Sequence, residues 1–477
     1  MTETTLAMWW ESKLARRLDS VAVIAAIVVV CRVALEEDVS WVAWALAFVV
    51  VVLLTLTRWP YGALFVLIGM SVMPRFFVQL FGWKARPEHF AVAIISMIVG
   101  VWLLQRKREM RFEKLDYWVL AYVAINYLSS AFGSSSPSAT LRWALMNNLA
   151  VLPYFLIRLL VRDLATLERT FRILLGVGIA ESAYGIFCYV SHHVFATAVG
   201  MEIGQYFVDV AAPYGSLYEP NLFGAYTACC TVIFLALYLI EGRHRFGYLI
   251  CIIVTSLATV LSFSRGALLA LVVAVGWVFW CTRRRQIARR GTLTTLLPAL
   301  VFILIIVGGV MGGVLQERIA NLFQQGLTEE TTITRFLVIQ ESLQDVPNHL
   351  LLGNGTASLQ LSFDWSKYVP EWADQATWVG NVGIRILHDT GLLGLTVFLG
   401  FLGSLWWKIR RSLHWQVPML VGLSAGGLLY GISFQSTDGT ILAFCWIHLG
   451  LLASAAVLVN SAVEHSNTIH HVPRVVA

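Results

Sequence analysis

Charge is scarce in this chain: of its 477 residues only 13% are Asp, Glu, Lys or Arg, against 58% hydrophobic. A soluble chain of this length carries about 25% charged residues and divides into domains of about 150 residues. The scarcity, with a mean hydropathy of +0.72, excludes a soluble multidomain protein and a disordered one. A basic nucleic-acid-binding domain is excluded too, since the net charge is only +6. Metal and nucleotide motifs are missing: there is no Asp-x-Asp pair, no P-loop and no HExxH. His192-His193 and His470-His471 are adjacent pairs that do not share a helix face, which argues against a metal site. Cys31, Cys188, Cys229, Cys230, Cys251, Cys281 and Cys445 all fall inside apolar runs, so no disulfide framework or zinc spacing is visible. No internal repeat appears, inverted or parallel, which weighs against many transporter folds.

Long apolar runs are what the chain has. A bilayer core takes about 20 apolar residues per helix. Runs of about that length fall at 19–35, 39–57, 60–80, 89–105, 115–132, 142–160, 171–195, 219–240, 246–263, 266–282, 294–315, 385–407, 416–434 and 439–459. Met1 to Ser20 is polar and charged, and no small-residue cleavage site follows, so the first run reads as a retained span. The fold class expected is all-α: a polytopic integral membrane protein with about 12–14 transmembrane helices and a large extracytoplasmic loop. With the N-terminus inside, alternate segments hold 24 of the 34 Lys and Arg, which predicts both termini cytoplasmic.

Two external segments are long enough for chemistry, about Gly200 to Asn221 and about Leu315 to Ile384. The second holds eight acidic residues and three basic ones, and helical stretches such as Thr334 to Gln344 broken by Pro347, Gly353, Gly355 and Pro370. Its aromatics, Phe363, Trp365, Tyr368, Trp372 and Trp378, suit either an interfacial belt or sugar stacking.

Cations outside the positive-inside pattern are costly and are usually paired or functional. There are ten: Arg32, Arg75, Lys84, Arg86, Arg142, Arg265, Arg318, Arg335, Lys367 and Arg385. Arg265 lies in Ser262-Phe263-Ser264-Arg265-Gly266, a polar break between two spans where Gly266 can turn the chain. It reads either as an anion clamp or as a snorkelling loop arginine. Arg335 follows Thr334, a candidate N-cap, and a helix N-terminus beside an arginine favours phosphate; the alternative is a solvated charge. On a helix, Asn381, Arg385 and His388 share one face within about 60°, as a buried network or as part of a site. Glu219-Pro220-Asn221 opens an apolar span, with Asn221 a possible cap.

Four blocks in order resemble the O-antigen ligase and O-antigen polymerase family of polyprenyl-diphosphate-dependent membrane glycosyltransferases. They are YEPNLFGAY (218–226), SFSRGALLAL (262–271), Arg335 followed by VPNHLLLGNG (346–355), and NVGIRILHDTGLLGL (381–395). The resemblance divides the chain into N-terminal transmembrane helices (1–200), a ligase/polymerase-like membrane region (201–460) with its extracytoplasmic loop at about 315–384, and a cytoplasmic tail (461–477). It implies a glycan on a polyprenyl diphosphate moved to an acceptor glycan or lipid, on the outer face of the inner (plasma) membrane, with no metal or other cofactor and no nucleic-acid partner. Arg265 and Arg335 fall on the family's diphosphate-holding arginines, with Arg385 assisting. His388, Glu219 and Asp389 are the candidates for the general base, and Asn221, Ser264 and Asn381 for supporting roles. The family's ligases carry His immediately before the Asn of the last block, where this chain has Gly380. That departure favours a polymerase of lipid-linked repeat units over a ligase. A lipid-linked glycan transporter and a non-catalytic scaffold are the readings from other classes.

Overall fold

A run with no charge and no polar face has no side to turn to water, so it becomes a helix buried all round or facing lipid. The computed structural model describes Val52, Leu54, Thr55 and residues 58–80, 83–106, 112–202, 211–241, 244–286, 330–368, 377–413 and 417–470. The expected spans 19–35 and 294–315, most of 39–57, and Pro370, Trp372 and Arg318 lie outside the described residues.

In chain order the helices are α1 (Tyr61–Ser71), α2 (Pro87–Arg106), α3 (Lys114–Phe132), α4 (Pro137–Leu160), α5 (Leu164–Phe195), α6 (Pro220–Ile240), α7 (Arg245–Leu261) and α8 (Arg265–Gln286). They continue with α9 (Glu330–Asp345), the short α10 (Ser358–Ser362), α11 (Val382–Ser412), α12 (Pro418–Ser433) and α13 (Ala443–His470). Two small antiparallel pairs, Val78–Leu80 with Trp83–Ala85 and Met201–Glu202 with Ala212–Pro213, are the strands among the described residues. Seven of the described helices are long and apolar enough to cross a membrane, and α1, α7 and α12 are shorter apolar helices. The chain is an all-α, multi-pass membrane protein. The run 60–80 is not one span: α1 ends at Ser71 and the chain turns into a hairpin. The last helix runs on to His470, past the expected start of the tail.

Helix α6 is the axis. Its 21 residues carry no charge, and every side chain from Leu222 to Ile240 is buried. Helices α7, α8 and α12 surround it, while α3 packs on α11 and α4 on α13. Small residues permit the close approaches: a Cβ on Gly224 would lie 2.4 Å from Ser262 Oγ, and one on Gly422 would lie 3.1 Å from Ile233 Cα.

The two ends of the bundle differ. At the end rich in Lys and Arg, Arg158 pairs with buried Asp116 at 3.0 Å, and Lys408 with Glu113 at 2.9 Å. At the other end, Val382 opens α11 and the loops 214–219, 262–264, 346–357 and 434–442 gather.

Helix α11 is broken by its own sequence. Gly391 sits at φ 64°, ψ −166°, a conformation that glycine reaches at little cost because it lacks a Cβ and that other residues do not. The break leaves backbone groups unpaired inside the helix, and the segment 350–355 pairs them. Leu392 and Leu393 N–H donate to the Leu350 and Leu351 carbonyls at 2.9 and 3.1 Å. Asn354 and Gly355 N–H donate to the His388 and Asp389 carbonyls at 2.9 and 3.0 Å. Irregular backbone at this depth needs such internal partners. The third and fourth sequence blocks are therefore the two halves of one structural unit.

Candidate active site

The polar hexapeptide Gln435-Ser436-Thr437-Asp438-Gly439-Thr440, between α12 and α13, is the element on which the candidate residues converge. Arg385, one turn into α11, is 5% exposed, and its Nε forms an ion pair with Asp438 Oδ2. Its Nη2 donates to Thr440 Oγ1 at 2.7 Å and its Nη1 to Asp389 Oδ2 at 3.4 Å. Asp438 Oδ1 in turn accepts from the Thr440 N–H at 2.8 Å and from the Thr440 hydroxyl at 2.6 Å. A buried charge is tolerated where it is paired and hydrogen-bonded in this way.

Glu219 reaches the same hexapeptide from α6. It is the N-cap residue, followed by Pro220 at the first helical position, but its side chain makes no capping bond. Its carboxylate instead accepts the Thr437 hydroxyl. Burial pushes the Glu219 carboxyl above the ordinary carboxylate range; the Thr437 hydrogen bond and the Arg335 charge oppose the rise, and the Asp438 charge adds to it. Arg335 of α9 is thus within electrostatic reach of Glu219, while its own side chain is exposed. Glu202 is a second carboxylate in this neighbourhood, raised by burial and by the Glu219 charge.

Arg265 approaches from a third side. It is the first residue of α8 and is exposed. Ser264 caps that helix by accepting the Ala267 N–H at 3.3 Å. The turn is made at Phe263, with φ 54°, rather than at Gly266, which lies within the helix. Gly266 serves proximity: a Cβ there would stand 2.2 Å from Ser436 Oγ. Gly380 touches the same residue, its Cβ position 3.4 Å from the Ser436 carbonyl oxygen.

Several expected roles change on inspection of the helix ends. Helix α9 starts at Glu330, so Thr334 is not its N-cap and Arg335 stands in the second turn, away from the N-terminal N–H groups. Asn221 is the second residue of α6, half-buried, and not its cap. Asn381 does cap α11, accepting the Ile384 N–H at 3.0 Å, and its amide donates to Gln435. The expected stripe of Asn381, Arg385 and His388 diverges accordingly. Asn381 and Arg385 meet the hexapeptide, whereas His388 is 1% exposed, with Nδ1 3.1 Å from Asp389 Oδ1 and Nε2 3.7 Å from Asp345 Oδ2. Asp389 accepts the Ala357 N–H at 3.1 Å, and its carbonyl accepts the Ser129 hydroxyl. His388 and Asp389 thus sit in the seam between α11 and the segment 345–357.

Of the loop aromatics, Trp365 is buried with Val338, Leu359 and Val379, and Phe363 packs against that cluster, so both build the loop rather than a belt. Trp378 is exposed and meets Trp143 edge to face at 6.0 Å.

Sequence reasoning passed over the hexapeptide. One signal was there: Asp438 is the only acidic residue between Asp389 and Glu464. Arg86, noted only as a cation out of pattern, also belongs here. It pairs with Glu88 at 3.1 Å, donates to the Ile441 carbonyl at 3.3 Å and lies 5.8 Å from the Tyr218 ring. Glu181 of α5 anchors the 214–219 loop, accepting the Ser216 N–H at 2.8 Å and the Ser216 hydroxyl at 2.5 Å. Among the described residues no group of His, Cys, Asp and Glu is arranged to hold a metal ion.

Residues 249–399 match a family model described as O-antigen ligase. The matched stretch runs from α7 into α11 and takes in Arg265, Arg335, Asn381, Arg385, His388 and Asp389. Glu219 and the hexapeptide lie outside it. No curated protein matches the chain.

Proposed function

We propose that this chain, whose residues 249–399 match the O-antigen ligase family model, polymerises polyprenyl-diphosphate-linked oligosaccharide repeat units on the extracytoplasmic side of the inner (plasma) membrane. The family match supports a membrane glycosyltransferase acting on a lipid-linked glycan; the polymerase role, the membrane and the side are our reading. One observation carries the proposal: Glu219, the Arg265 turn, Asn381 and Arg385 meet on residues 435–440, with the Arg335 charge acting on Glu219.

In this reading Arg265 and Arg335, both exposed, hold the diphosphate. Arginine stays charged and binds phosphate bidentately. The acceptor hydroxyl oxygen attacks the anomeric carbon of the donor, the bond from that carbon to the diphosphate oxygen breaks, and polyprenyl diphosphate leaves with the electron pair. Glu219 takes the hydroxyl proton. Fixed cations facing the developing charge on the leaving group supply several kcal/mol of stabilisation. Arg385 is assigned to the hexapeptide and not to substrate, because Asp438, Thr440 and Asp389 already engage its guanidinium.

A ligase is the second reading, favoured by the description of the matched family. Gly380, where the family's ligases carry His, favours the polymerase. Purified protein given polyprenyl-diphosphate-linked oligosaccharides and a chelator, with products separated by size, tests both. A ladder of repeats supports the polymerase. Transfer seen only after a lipid or protein acceptor is added makes the chain a ligase, and no transfer with any acceptor sinks both readings in favour of a transporter or scaffold.

A further inference from the structure

We propose that Thr437 and Asp438 are positioning residues: the Arg385–Asp438 ion pair locks the hexapeptide in the register at which the Thr437 hydroxyl aims the Glu219 carboxylate. The inference rests on Glu219 as the base of the proposed transfer.

The hexapeptide is fixed at every point but one. At its start, Val382 N–H donates to the Phe434 carbonyl at 3.0 Å, and the Asn381 amide donates to the Gln435 carbonyl at 3.3 Å. In the middle, Asp438 is held by Arg385 and by both donors of Thr440. At its end, Trp446 Nε1 donates to the Thr440 carbonyl at 2.7 Å, and Arg86 reaches the Ile441 carbonyl. Gly439 lets the turn close, since a Cβ there would lie 2.2 Å from the Phe434 ring. Thr437 is the residue left to point its hydroxyl across to another helix, and it meets Glu219. Glu219 in turn leaves the capping role its backbone position offers and directs its side chain to this hydroxyl.

Locking both partners on rigid elements holds the base within the narrow geometry that proton transfer needs. The charged groups that act on Glu219 are Arg335 from α9 and Asp438 from the hexapeptide, while Glu219 itself raises Glu202 of the strand pair. They give the two positioning residues opposite signatures. Removing the Thr437 donor takes away a stabiliser of the carboxylate, so the acid limb of activity moves to higher pH. Removing the Asp438 charge takes away a repulsion, so the limb moves to lower pH.

The test compares wild type, Thr437→Val, Thr437→Ser, Asp438→Asn and Glu219→Gln in reconstituted vesicles with the lipid-linked donor, recording kcat, KM, pH profile and melting temperature. We expect Thr437→Val to keep its melting temperature and its KM for the donor, to lose about tenfold in kcat, and to shift the limb upward. That loss is part of the about 10²- to 10⁴-fold a general base contributes. Thr437→Ser, which keeps the donor, restores most of the rate. A Thr437→Val protein with wild-type kcat and limb, beside a dead Glu219→Gln, overturns the positioning role alone. An active Glu219→Gln with an unchanged limb overturns the base itself. If Asp438→Asn fails to fold, the Thr437 pair still decides.

Discussion

The Arg385 guanidinium and the Asp438 carboxylate form an ion pair in which both groups are buried, at 5% and 7% exposure, and neither points to open solvent. Breaking such a pair from one side strands the other charge, at a cost of about 3–5 kcal/mol. Arg385→Ala should therefore lower the melting temperature sharply in detergent, with Asp389 and Asp438 left facing each other. Arg385→Lys should not restore it, because one ammonium cannot reach Asp438, Thr440 and Asp389 from the same stem. A stable, inactive Arg385→Ala would instead return this residue to the diphosphate.

The exposed arginines should behave in the opposite way. Arg265→Ala and Arg335→Ala remove exposed charges rather than one half of a buried ion pair, so melting should fall less than in Arg385→Ala. Transfer should fall by about 10²-fold or more, the typical effect of removing one group that stabilises transition-state charge. His388→Ala should cost less activity, since its imidazole lies in the seam between Asp389 and Asp345 rather than on the hexapeptide. Equal losses for His388→Ala and Arg265→Ala, at equal stability, would reverse this ranking.

The break in α11 shows where a sequence stops being legible. The helices could be read because uncharged runs of about 20 residues have one physical outcome in a membrane protein. The out-of-pattern arginines could be read because an unpaired cation there is expensive. The pairing of 350–355 with 388–393 could not, because hydrogen bonds between two irregular backbones leave no periodicity in the side chains. The two glycine-containing blocks were visible, but not that each exists to fit the other. The hexapeptide was hidden for a related reason: Thr437 and Asp438 take their meaning from Glu219, 218 residues away, and from Arg385. Thr334 misled because a polar run, Thr328 to Thr332, lies just before it, and several of those residues suit a helix start.

Gly391→Ala tests that seam. The new Cβ would stand 2.3 Å from the Leu351 carbonyl oxygen in a backbone with φ 64°, so strain and overlap add. A loss above about 2 kcal/mol is expected. Thermal melting should show it, and proteolysis of the 346–357 segment should quicken. Gly403→Ala, with open space at its Cβ position, is the control and should melt like wild type.

Gly380 offers a constructive test of how this site differs from that of the family's ligases. Its Cβ position is at ordinary contact distance, 3.4 Å from the Ser436 carbonyl oxygen, and its backbone is not in the left-handed region, so a side chain is tolerated. A histidine there would stand over the same hexapeptide that Glu219 touches. In a Glu219→Gln background, Gly380→His should therefore recover part of the lost transfer, and its pH profile should identify the new base. With Glu219 as base, its carboxyl raised by burial, the acid limb of the wild type should lie above the ordinary carboxylate range. An imidazole must be neutral to accept a proton, so activity in the double variant should fall as pH drops through about 6.5. Recovery with the limb moved to that value would tie both residues to one proton-transfer step. No recovery at any pH in a folded double variant would mean that Gly380 lies too far from the acceptor hydroxyl, and that the missing ligase histidine is not what Glu219 replaces.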